Sequence, residues 1–434
     1  MATLVRRFGV PKEDSDLLRP MLKSGRAFYL LAAFFSLMIG WFLYAWYLQL
    51  TQGLVVTSLR TPVGAAWGVY IAQFVFFVGL AHGGIAVAAA IRLLKLKSFA
   101  PVARMGEVIT VISIMMAGLS ITIDMGRPDR IFNIVLFWPG RVGSSPLSWD
   151  VTVIIIYFSL SMSFLWLTMR KDLAGLAARF PKMASLYKIL SVGYRPQEDA
   201  KVDRMAWWLS IAICFLIVFL SGGVVPWIFG LLSSRPGWFS ALAGPYFLTA
   251  AISSAIGAVI VAAGVLRTTY NWQAHLKPQV FKGLGTFLGI VTLFYVYMIF
   301  GEQLTMQYSA PLSELLVSEI LTTGAFAPLF WPMLVLGFIG PSLTLLAQAI
   351  RPQWFSLTRT VFAAGAIVIA FWIKRFLIVV PSLLRPLLPF PEGSYSPSWV
   401  EWSIVAGILA MAILFFMAFL RLFPIMELDE EKHE

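Results

Sequence analysis

Residues 66–91, AWGVYIAQFVFFVGLAHGGIAVAAAI, decide the fold class of this chain. The stretch contains no Asp, Glu, Lys or Arg and is followed directly by Arg92. Crossing the hydrocarbon core of a bilayer as a helix takes roughly 20 mainly apolar residues. We therefore predict that this stretch is a membrane-spanning helix.

The composition of the whole chain agrees with that prediction. Of 434 residues, 59% are hydrophobic and only 12% are charged, whereas soluble domains carry about 25% charged residues. A soluble fold of this size would lack the polar side chains to cover its core, but a bilayer solvates apolar side chains directly. The sequence predicts an all-α integral membrane protein.

The chain contains ten apolar runs, and each is long enough to cross a membrane. Connections rich in Pro, Gly and charged residues separate them. The runs, numbered here as helices 1 to 10, lie near residues 27–50, 66–91, 102–123, 149–169, 205–231, 244–266, 283–301, 326–349, 360–380 and 400–420.

The distribution of basic residues predicts the orientation. Of the 33 Lys and Arg residues, 25 lie in the two tails and in the loops after even-numbered helices, 6 lie in the loops after odd-numbered helices, and 2 lie within helix 9. Cytoplasmic loops carry the excess of Lys and Arg. We expect both tails in the cytoplasm and the chain in the inner (plasma) membrane. A net charge of +12 spread between apolar runs does not indicate nucleic-acid binding.

A weak internal repeat predicts the domain organisation. Gly68-Val69-Tyr70 opens helix 2 and Gly244-Pro245-Tyr246 opens helix 6, and an arginine closes each helix. The repeat suggests two four-helix bundles, helices 2–5 and 6–9, flanked by helices 1 and 10. The expected divisions are residues 1–26 (cytoplasmic tail), 27–60 (helix 1), 61–235 (first bundle), 236–385 (second bundle) and 386–434 (helix 10 and cytoplasmic tail).

The scarcity of metal-binding side chains limits the chemistry. The chain has one cysteine, Cys214, and three histidines, His82, His275 and His433. These cannot form an iron–sulfur cluster or a bis-histidine membrane haem. We therefore expect no metal, haem or iron–sulfur cluster in this chain.

Ionisable residues within spans are costly and usually face a bundle interior or a water-filled path. His82 lies past the middle of helix 2, on the face that carries Gly79 and Gly83, so we expect its ring to point into the bundle. It is either a neutral imidazole bonded to a neighbouring hydroxyl or a functional group.

Carboxylates lie at three helix ends, all on the predicted outer side. Asp124 ends helix 3 within Asp124-Met125-Gly126-Arg127-Pro128. It is either a helix stop with a local ion pair or a proton acceptor at the mouth of a cavity. Asp150 opens helix 4, where the macrodipole favours an acid, and Glu302 lies at the outer end of helix 7.

Lys374 and Arg375 lie within helix 9, far from either interface. Each would cost about 2.5–3.5 kcal/mol to insert, so we expect a partner carboxylate from another helix. Adjacent helical residues point about 100° apart, so we expect only one of the two to face the cavity.

Taken together, several stretches resemble the NrfD/PsrC family of membrane subunits in its ten-helix form, as in alternative complex III. They are Trp67-Gly68-Val69-Tyr70, Ala81-His82-Gly83-Gly84, Asp124-Met125-Gly126-Arg127-Pro128, Gly244-Pro245-Tyr246, residues 371–381 and residues 395–401. The resemblance covers roughly residues 60–405 and implies two four-helix bundles.

The resemblance also implies a function. It implies an exchangeable menaquinone or ubiquinone site near the outer face of the first bundle. It implies iron–sulfur or multihaem cytochrome subunits as partners on the periplasmic side. The other implied partners are lipid and further membrane subunits, one of which is homologous to this chain in some complexes. His82 and Asp124 would handle the headgroup and its protons, and the other expected contacts are Tyr70, Arg127, Asp150 and Arg375.

The sequence therefore predicts the quinone-reactive subunit of a respiratory or photosynthetic oxidoreductase complex. A path for translocated protons through Glu302, Lys374 and Arg375 is an additional hypothesis. The alternative is a secondary transporter or channel without a redox partner, because buried charges and paired bundles occur there too. Subunits that co-purify with the chain would separate the two.

Overall fold

In a computed structural model of the protein, residues 16–22, 24–61, 64–232, 234–240, 242–308, 311–385 and 393–428 are described. Within these ranges the regular structure is entirely helical, without a strand. The all-α prediction is confirmed. Most of the predicted N-terminal tail, residues 1–15, lies outside the described residues, as do residues 386–392 and 429–434 of the predicted C-terminal division.

Among the described residues, ten helices are long and apolar enough to span a membrane, as predicted. We label them α1 to α10 in chain order. They are α1 Arg26–Gln52, α2 Val69–Leu93, α3 Ala100–Asp124, α4 Pro146–Arg179, α5 Asp199–Phe219 continued by Leu220–Val224 and Val225–Gly230, α6 Ala243–Thr269, α7 Pro278–Tyr308, α8 Ala327–Pro332 continued by Met333–Ile339 and Gly340–Ile350, α9 Leu357–Leu384, and α10 Trp399–Leu422.

The predicted run for helix 4 ends ten residues before the observed helix does. Hydropathy detects only the apolar part of α4, up to Met169, whereas the helix continues through Arg170 to Arg179. A helix that leaves the membrane needs no apolar residues to keep its backbone hydrogen bonds, so hydropathy alone underestimates its length.

Two helices contain a π-helical segment. In α5, the residues Gly222 and Gly223 lie in the π-helical turn Leu220–Val224. A second π-helical segment, Met333–Ile339 in α8, follows Pro332 and was not predicted. π-bulges are rare and occur frequently at functional sites.

Helix packing places α2 at the centre of the molecule. Helix α2 contacts α3, α5, α6 and α9, and α4 packs on α3 and α5, while α6, α7, α8 and α9 contact one another in sequence and α9 returns to α6. Helix α1 packs on α10. The division of the chain at residues 60, 235 and 385 stays a prediction.

Close packing of α2 on α6 depends on Gly83. A Cβ atom at Gly83 would overlap the carbonyl oxygen of Ala251, so any side chain would force the helices apart. Small residues allow membrane helices to approach this closely.

The start of α2 and the end of α3 lie at the same end of the molecule, which is called here the Asp124 end. The opposite end is called the Arg104 end.

Candidate functional site

A cavity of about 400 Å³ opens at the Asp124 end, between α2, α3, α4 and α5. Its wall is mainly apolar, with two carboxylates and one guanidinium. The lining residues are Arg60, Trp67, Ile71, Phe74, Ile121, Asp124, Met125, Ser145, Pro146, Leu147, Asp150, Val225, Ile228, Phe229 and Leu232.

Asp124, the last residue of α3, is buried and pairs with Arg60 from the segment between α1 and α2. The Arg60 Nη2 atom lies 3.0 Å from Asp124 Oδ2 and donates to the Asp124 carbonyl oxygen at 2.9 Å. The other carboxylate oxygen, Oδ1, has no hydrogen-bond partner within the described ranges. One oxygen of Asp124 therefore makes no hydrogen bond within the described ranges.

The local ion pair considered for Asp124 is not the one observed. Gly126 adopts a left-handed backbone conformation with φ of 69°, which turns the following segment away from α3. Arg127 instead pairs with Asp129 at 2.9 Å and is exposed. Hydrogen bonds from Arg127 hold the pKa of Asp129 below its ordinary value, and Arg127 is not among the lining residues of the cavity.

Asp150 lies in the first turns of α4 and also lines the cavity. Its side chain is only 7% exposed, and no cation in the described part of the chain forms an ion pair with it. The positive end of the α4 macrodipole favours a carboxylate there. The cavity thus contains one carboxylate paired with an arginine and one that is not.

Two aromatic side chains that line the cavity, Trp67 before α2 and Phe229 of α5, pack with Trp238 from the segment after α5. Trp67 stacks on Trp238 with ring centroids 5.6 Å apart, and both contact Phe229. Trp238 is fixed in turn by a hydrogen bond from its indole nitrogen to the Ile378 carbonyl oxygen at 2.8 Å. Trp67 belongs to a motif that the sequence singles out, but nothing in the sequence indicates that Phe229 and Trp238 meet it there.

His82 is fully buried, as predicted, and points into the bundle. Its ring lies 4.2 Å, centroid to centroid, from that of Tyr157 on α4. Neither ring nitrogen, nor the Tyr157 hydroxyl, has a hydrogen-bond partner among the described residues. His82 is not a lining residue, and it follows the lining residue Phe74 by eight positions, roughly 12 Å along the helix axis.

Tyr70 is buried behind the cavity wall. Its hydroxyl donates to Gln49 Oε1 at 2.9 Å, and Gln49 Nε2 donates to the Ile123 carbonyl oxygen at 2.9 Å. These bonds connect α1, α2 and the end of α3. In this structure Tyr70 positions the helices around the cavity and does not line it.

Glu401 organises the same end of the molecule, although the sequence marks it only as the last residue of a motif. Its carboxylate accepts hydrogen bonds from the Ser58 amide at 2.8 Å and from the Tyr395 hydroxyl. The same hydroxyl accepts from the Val69 amide at 3.0 Å. A fully buried acid thus fixes the start of α2 relative to α10.

The corresponding end of the second group of helices contains an ion pair. Lys374 Nζ of α9 lies 3.0 Å from Glu302 Oε2 of α7, which confirms the expected partner carboxylate from another helix. The Tyr246 hydroxyl donates to the same oxygen at 3.3 Å, and the Tyr246 ring stacks on Tyr295 with centroids 4.4 Å apart.

Arg375 faces a different neighbour from Lys374. Its guanidinium carbon lies 4.5 Å from the centroid of the Phe247 ring. A Cβ atom at Gly79 of α2 would lie 3.7 Å from Arg375 Nη2. Arg375 therefore reaches from α9 towards α2, and its Nη1 atom has no hydrogen-bond partner in the described ranges.

The carboxylates at the Asp124 end are arranged for proton transfer and not as a group of metal ligands. Over the described part of the chain, no three His, Cys, Asp or Glu side chains group as a metal site would require. The Asp124-end cavity instead offers carboxylates in a mostly apolar enclosure. Such a site can hold an apolar ring and exchange protons with polar atoms on it.

The ten helices and this cavity define a multi-pass helical membrane protein with an acidic, largely apolar site at one end. The chain belongs to the family described as polysulphide reductase, NrfD, whose model matches residues 55–386. The family that the sequence motifs resemble is therefore confirmed.

Relatives align over nearly the whole chain. A Halobacterium salinarum protein provisionally named as a membrane subunit of dimethyl sulfoxide reductase is 28% identical, covering 95% of each chain. A selenate reductase subunit of Mesobacillus selenatarsenatis is 24% identical over 89% of this chain and 92% of its own. The Hdr-like menaquinol oxidoreductase integral membrane subunit of Archaeoglobus fulgidus is 24% identical, covering 88% and 89%.

Proposed function

We propose that the protein is the quinone-reactive membrane subunit of an oxidoreductase complex. The observation that carries the proposal is the cavity of about 400 Å³ in which Asp124 and Asp150 lie within an apolar wall. Small-molecule sites usually enclose about 300–1,000 Å³ and combine apolar lining with a few polar groups. A relative named as a menaquinol oxidoreductase subunit supports the choice of substrate.

The reaction assigned to the cavity is the two-electron interconversion of quinone and quinol. Reduction adds two electrons and two protons, so that both carbonyl oxygens become hydroxyls, and oxidation reverses each change. We assign proton exchange to Asp124 and Asp150, because a carboxylate in contact with the reacting oxygen acts as general acid or base. Menaquinone and ubiquinone share this chemistry, and both remain in the proposal.

Electrons are proposed to pass to or from another polypeptide at the Asp124 end. With one cysteine and three histidines, the chain cannot ligate an iron–sulfur cluster, so the partner supplies the redox group. The segment between α3 and α4 contains the helix Ile131–Leu136, and its Phe132, Leu136 and Trp138 side chains are exposed. We propose that an iron–sulfur subunit docks on this segment, on the periplasmic side.

The other residues expected to contact the quinone have less structural support. Tyr70, Arg127 and Arg375 are not lining residues of the cavity, so direct contact with the substrate would need the cavity to extend. His82 would meet it only if the cavity reached roughly 12 Å deeper. We also retain the hypothesis that Glu302, Lys374 and Arg375 line a path for translocated protons.

An Asp124→Asn variant of the assembled complex tests the site. We expect its quinol-dependent turnover to fall by about 10²-fold, the lower end of what general acid–base groups contribute. Glu319→Gln is the matched control, because it also converts a carboxylate to an amide, on an exposed side chain that lies outside the cavity lining and outside the proposed docking segment. Equal turnover in the two variants would remove the proposed site.

Purification from native membranes tests the complex and the orientation. Iron–sulfur subunits that co-purify with the chain support a redox role, whereas a lone chain that couples substrate flux to an ion gradient supports the transporter alternative. A reporter protein that is active only in the cytoplasm can be fused to each terminus. Both fusions are expected to be active if the two tails face the cytoplasmic side of the inner membrane.

A further inference from the structure

A groove of about 510 Å³ lies between α7 and α8 and shares no lining residue with the proposed quinone cavity. One wall is formed by Lys282, Thr286, Phe287 and Ile290 of α7, and the other by Gln348 and Pro352 from the end of α8. A Cβ atom at Gly283 of α7 would overlap the ring of Phe99, which directly precedes α3. The groove therefore lies at the Arg104 end.

The groove changes from polar to apolar along its length. Lys282 lies in the second turn of α7, and Ile290 follows it by eight residues, roughly 12 Å along the helix axis at 1.5 Å per residue. The Phe287 and Ile290 side chains are 50% and 54% exposed. A cation near the membrane surface is thus followed by apolar side chains deeper in the span, which is the order of headgroup and acyl chains in a phospholipid.

Three cations surround the short segment that joins α8 to α9, beside the groove. Lys282 Nζ lies 4.9 Å from the centroid of the Phe355 ring, and the Arg351 guanidinium carbon lies 4.5 Å from the centroid of the Trp354 ring. Arg359 donates to the Trp354 carbonyl oxygen at 2.6 Å. Contacts with rings and a carbonyl oxygen position the three cations but leave their charge in place.

The protein supplies these cations with no carboxylate in the described ranges. The sequence has neither Asp nor Glu between Asp203 and Glu302, or between Glu319 and Glu392, and none of the three cations forms an ion pair there. The first group of helices differs, because its cavity at the same end is lined by four cations and four carboxylates. The positive macrodipole ends of α7 and α9 add to the uncompensated charge beside the groove.

We propose that this groove binds an anionic phospholipid. Its phosphate lies beside Lys282, Arg351 and Arg359, and an acyl chain follows Phe287 and Ile290. Basic pockets between membrane helices bind anionic headgroups in this way. A free phosphate would leave the apolar wall uncovered, and a neutral lipid would leave the cations without an anion. The bound lipid joins the Arg104 ends of α7, α8 and α9, and the inference does not depend on the quinone chemistry of the other cavity.

Native mass spectrometry of the delipidated protein, titrated in a neutral detergent, tests the site. We expect dioleoyl phosphatidylglycerol to bind about tenfold or more tightly than dioleoyl phosphatidylcholine. One cation near an anionic headgroup contributes about fivefold in affinity. Lys282→Gln should therefore weaken phosphatidylglycerol binding about fivefold, and Lys282→Gln combined with Arg359→Gln about 25-fold. Equal affinity of the wild-type protein for the two lipids would overturn the proposal.

Lys182→Gln is the matched control, because it makes the same change at the same end on an exposed side chain outside the groove. Its affinity for phosphatidylglycerol should stay within about twofold of wild type. A loss as large as that in Lys282→Gln would show a diffuse attraction to a basic surface and no defined site.

Thr286→Trp tests the apolar part of the groove, because it keeps every cation and fills the space beside them. We expect phosphatidylglycerol binding to weaken about tenfold or more, while thermal unfolding without lipid confirms that the variant is folded. Inorganic phosphate and glycerophosphoglycerol, the headgroup without acyl chains, should not displace the lipid even in excess. Displacement by either would indicate a site for a small anion. Capture of a protein subunit, and not of phospholipid, by a photo-crosslinking residue placed at Ile290 in native membranes would also contradict the lipid assignment.

Discussion

The Asp124 ends of the two groups of helices hold a carboxylate in opposite ways. Asp124 ends the second helix of the first group and pairs with Arg60, whose side chain is 39% exposed. Glu302 lies near the end of the second helix of the other group and pairs with Lys374, whose side chain is 2% exposed. The first carboxylate borders a cavity of about 400 Å³, and the second lies against stacked aromatic rings.

The two ends therefore differ in how firmly their carboxylates are held. A carboxylate held by a buried cation is fixed, because separating the pair leaves a charge in a low-dielectric surrounding. A carboxylate held by a half-exposed arginine keeps one oxygen free and can exchange protons with a bound molecule. We therefore assign substrate chemistry to the first end and a mainly structural or relay role to the second.

The largest expected effect is on stability at the second end. Glu302→Gln leaves Lys374, whose side chain is 2% exposed, without its anion, and a buried charge left unpaired costs about 3–5 kcal/mol. Asp124→Asn at the first end should cost only about 0–1 kcal/mol, because the Arg60 side chain left behind is 39% exposed. Thermal unfolding of the two purified variants in the same detergent measures both.

The double variant Glu302→Gln with Lys374→Met checks the cause. Because neither charge remains, most of the lost stability should return, as it does when buried pairs are replaced together. Equal destabilisation by Glu302→Gln and Asp124→Asn would show that the two ends do not differ in the way inferred.

The next effect is on catalysis at the first end. Asp150 has no cation partner among the described residues, so we expect Asp150→Asn to change stability little and to reduce quinol-dependent turnover by about 10²-fold. Thr152→Val, which removes a hydroxyl bonded to the Ser148 carbonyl oxygen at 2.6 Å, is the control on the same helix. Turnover equal to that of the control would exclude Asp150 from proton exchange.

The fold was largely predictable from the sequence because a helix that crosses a bilayer needs a long run of apolar residues. Ten apolar runs became ten helices, since a backbone inside a bilayer must satisfy its hydrogen bonds internally. Helix ends outside the membrane, such as that of α4, and the second π-helical segment in α8 follow from polar contacts and local packing. Hydropathy contains no signal for either.

The site was predictable only in part, for a physical reason. Asp124, Asp150, His82 and the Lys374–Arg375 pair stood out because charge is rare inside spans. Arg60 and Trp238 did not, since each lies in a polar connection where such residues are ordinary. Their roles depend on contacts between residues far apart in the chain, and these appear only in three dimensions.

The smallest effects separate the two tyrosines that open α2 and α6. Tyr246 donates to the carboxylate of Glu302 at 3.3 Å, whereas Tyr70 donates to the neutral amide of Gln49 at 2.9 Å. Hydrogen bonds to charged groups contribute about 1.5–3 kcal/mol and neutral ones about 1 kcal/mol. Tyr246→Phe should therefore lower the unfolding free energy more than Tyr70→Phe does.

Thermal unfolding of both variants, with quinol titrations beside it, measures this last difference. A larger loss in Tyr70→Phe would contradict the view that the second end is the more tightly fixed. A rise in the KM for quinol confined to Tyr70→Phe would place that hydroxyl at the substrate, as the family resemblance implies. An unchanged KM would leave Tyr70 as a residue that positions α1 and α3 around the cavity.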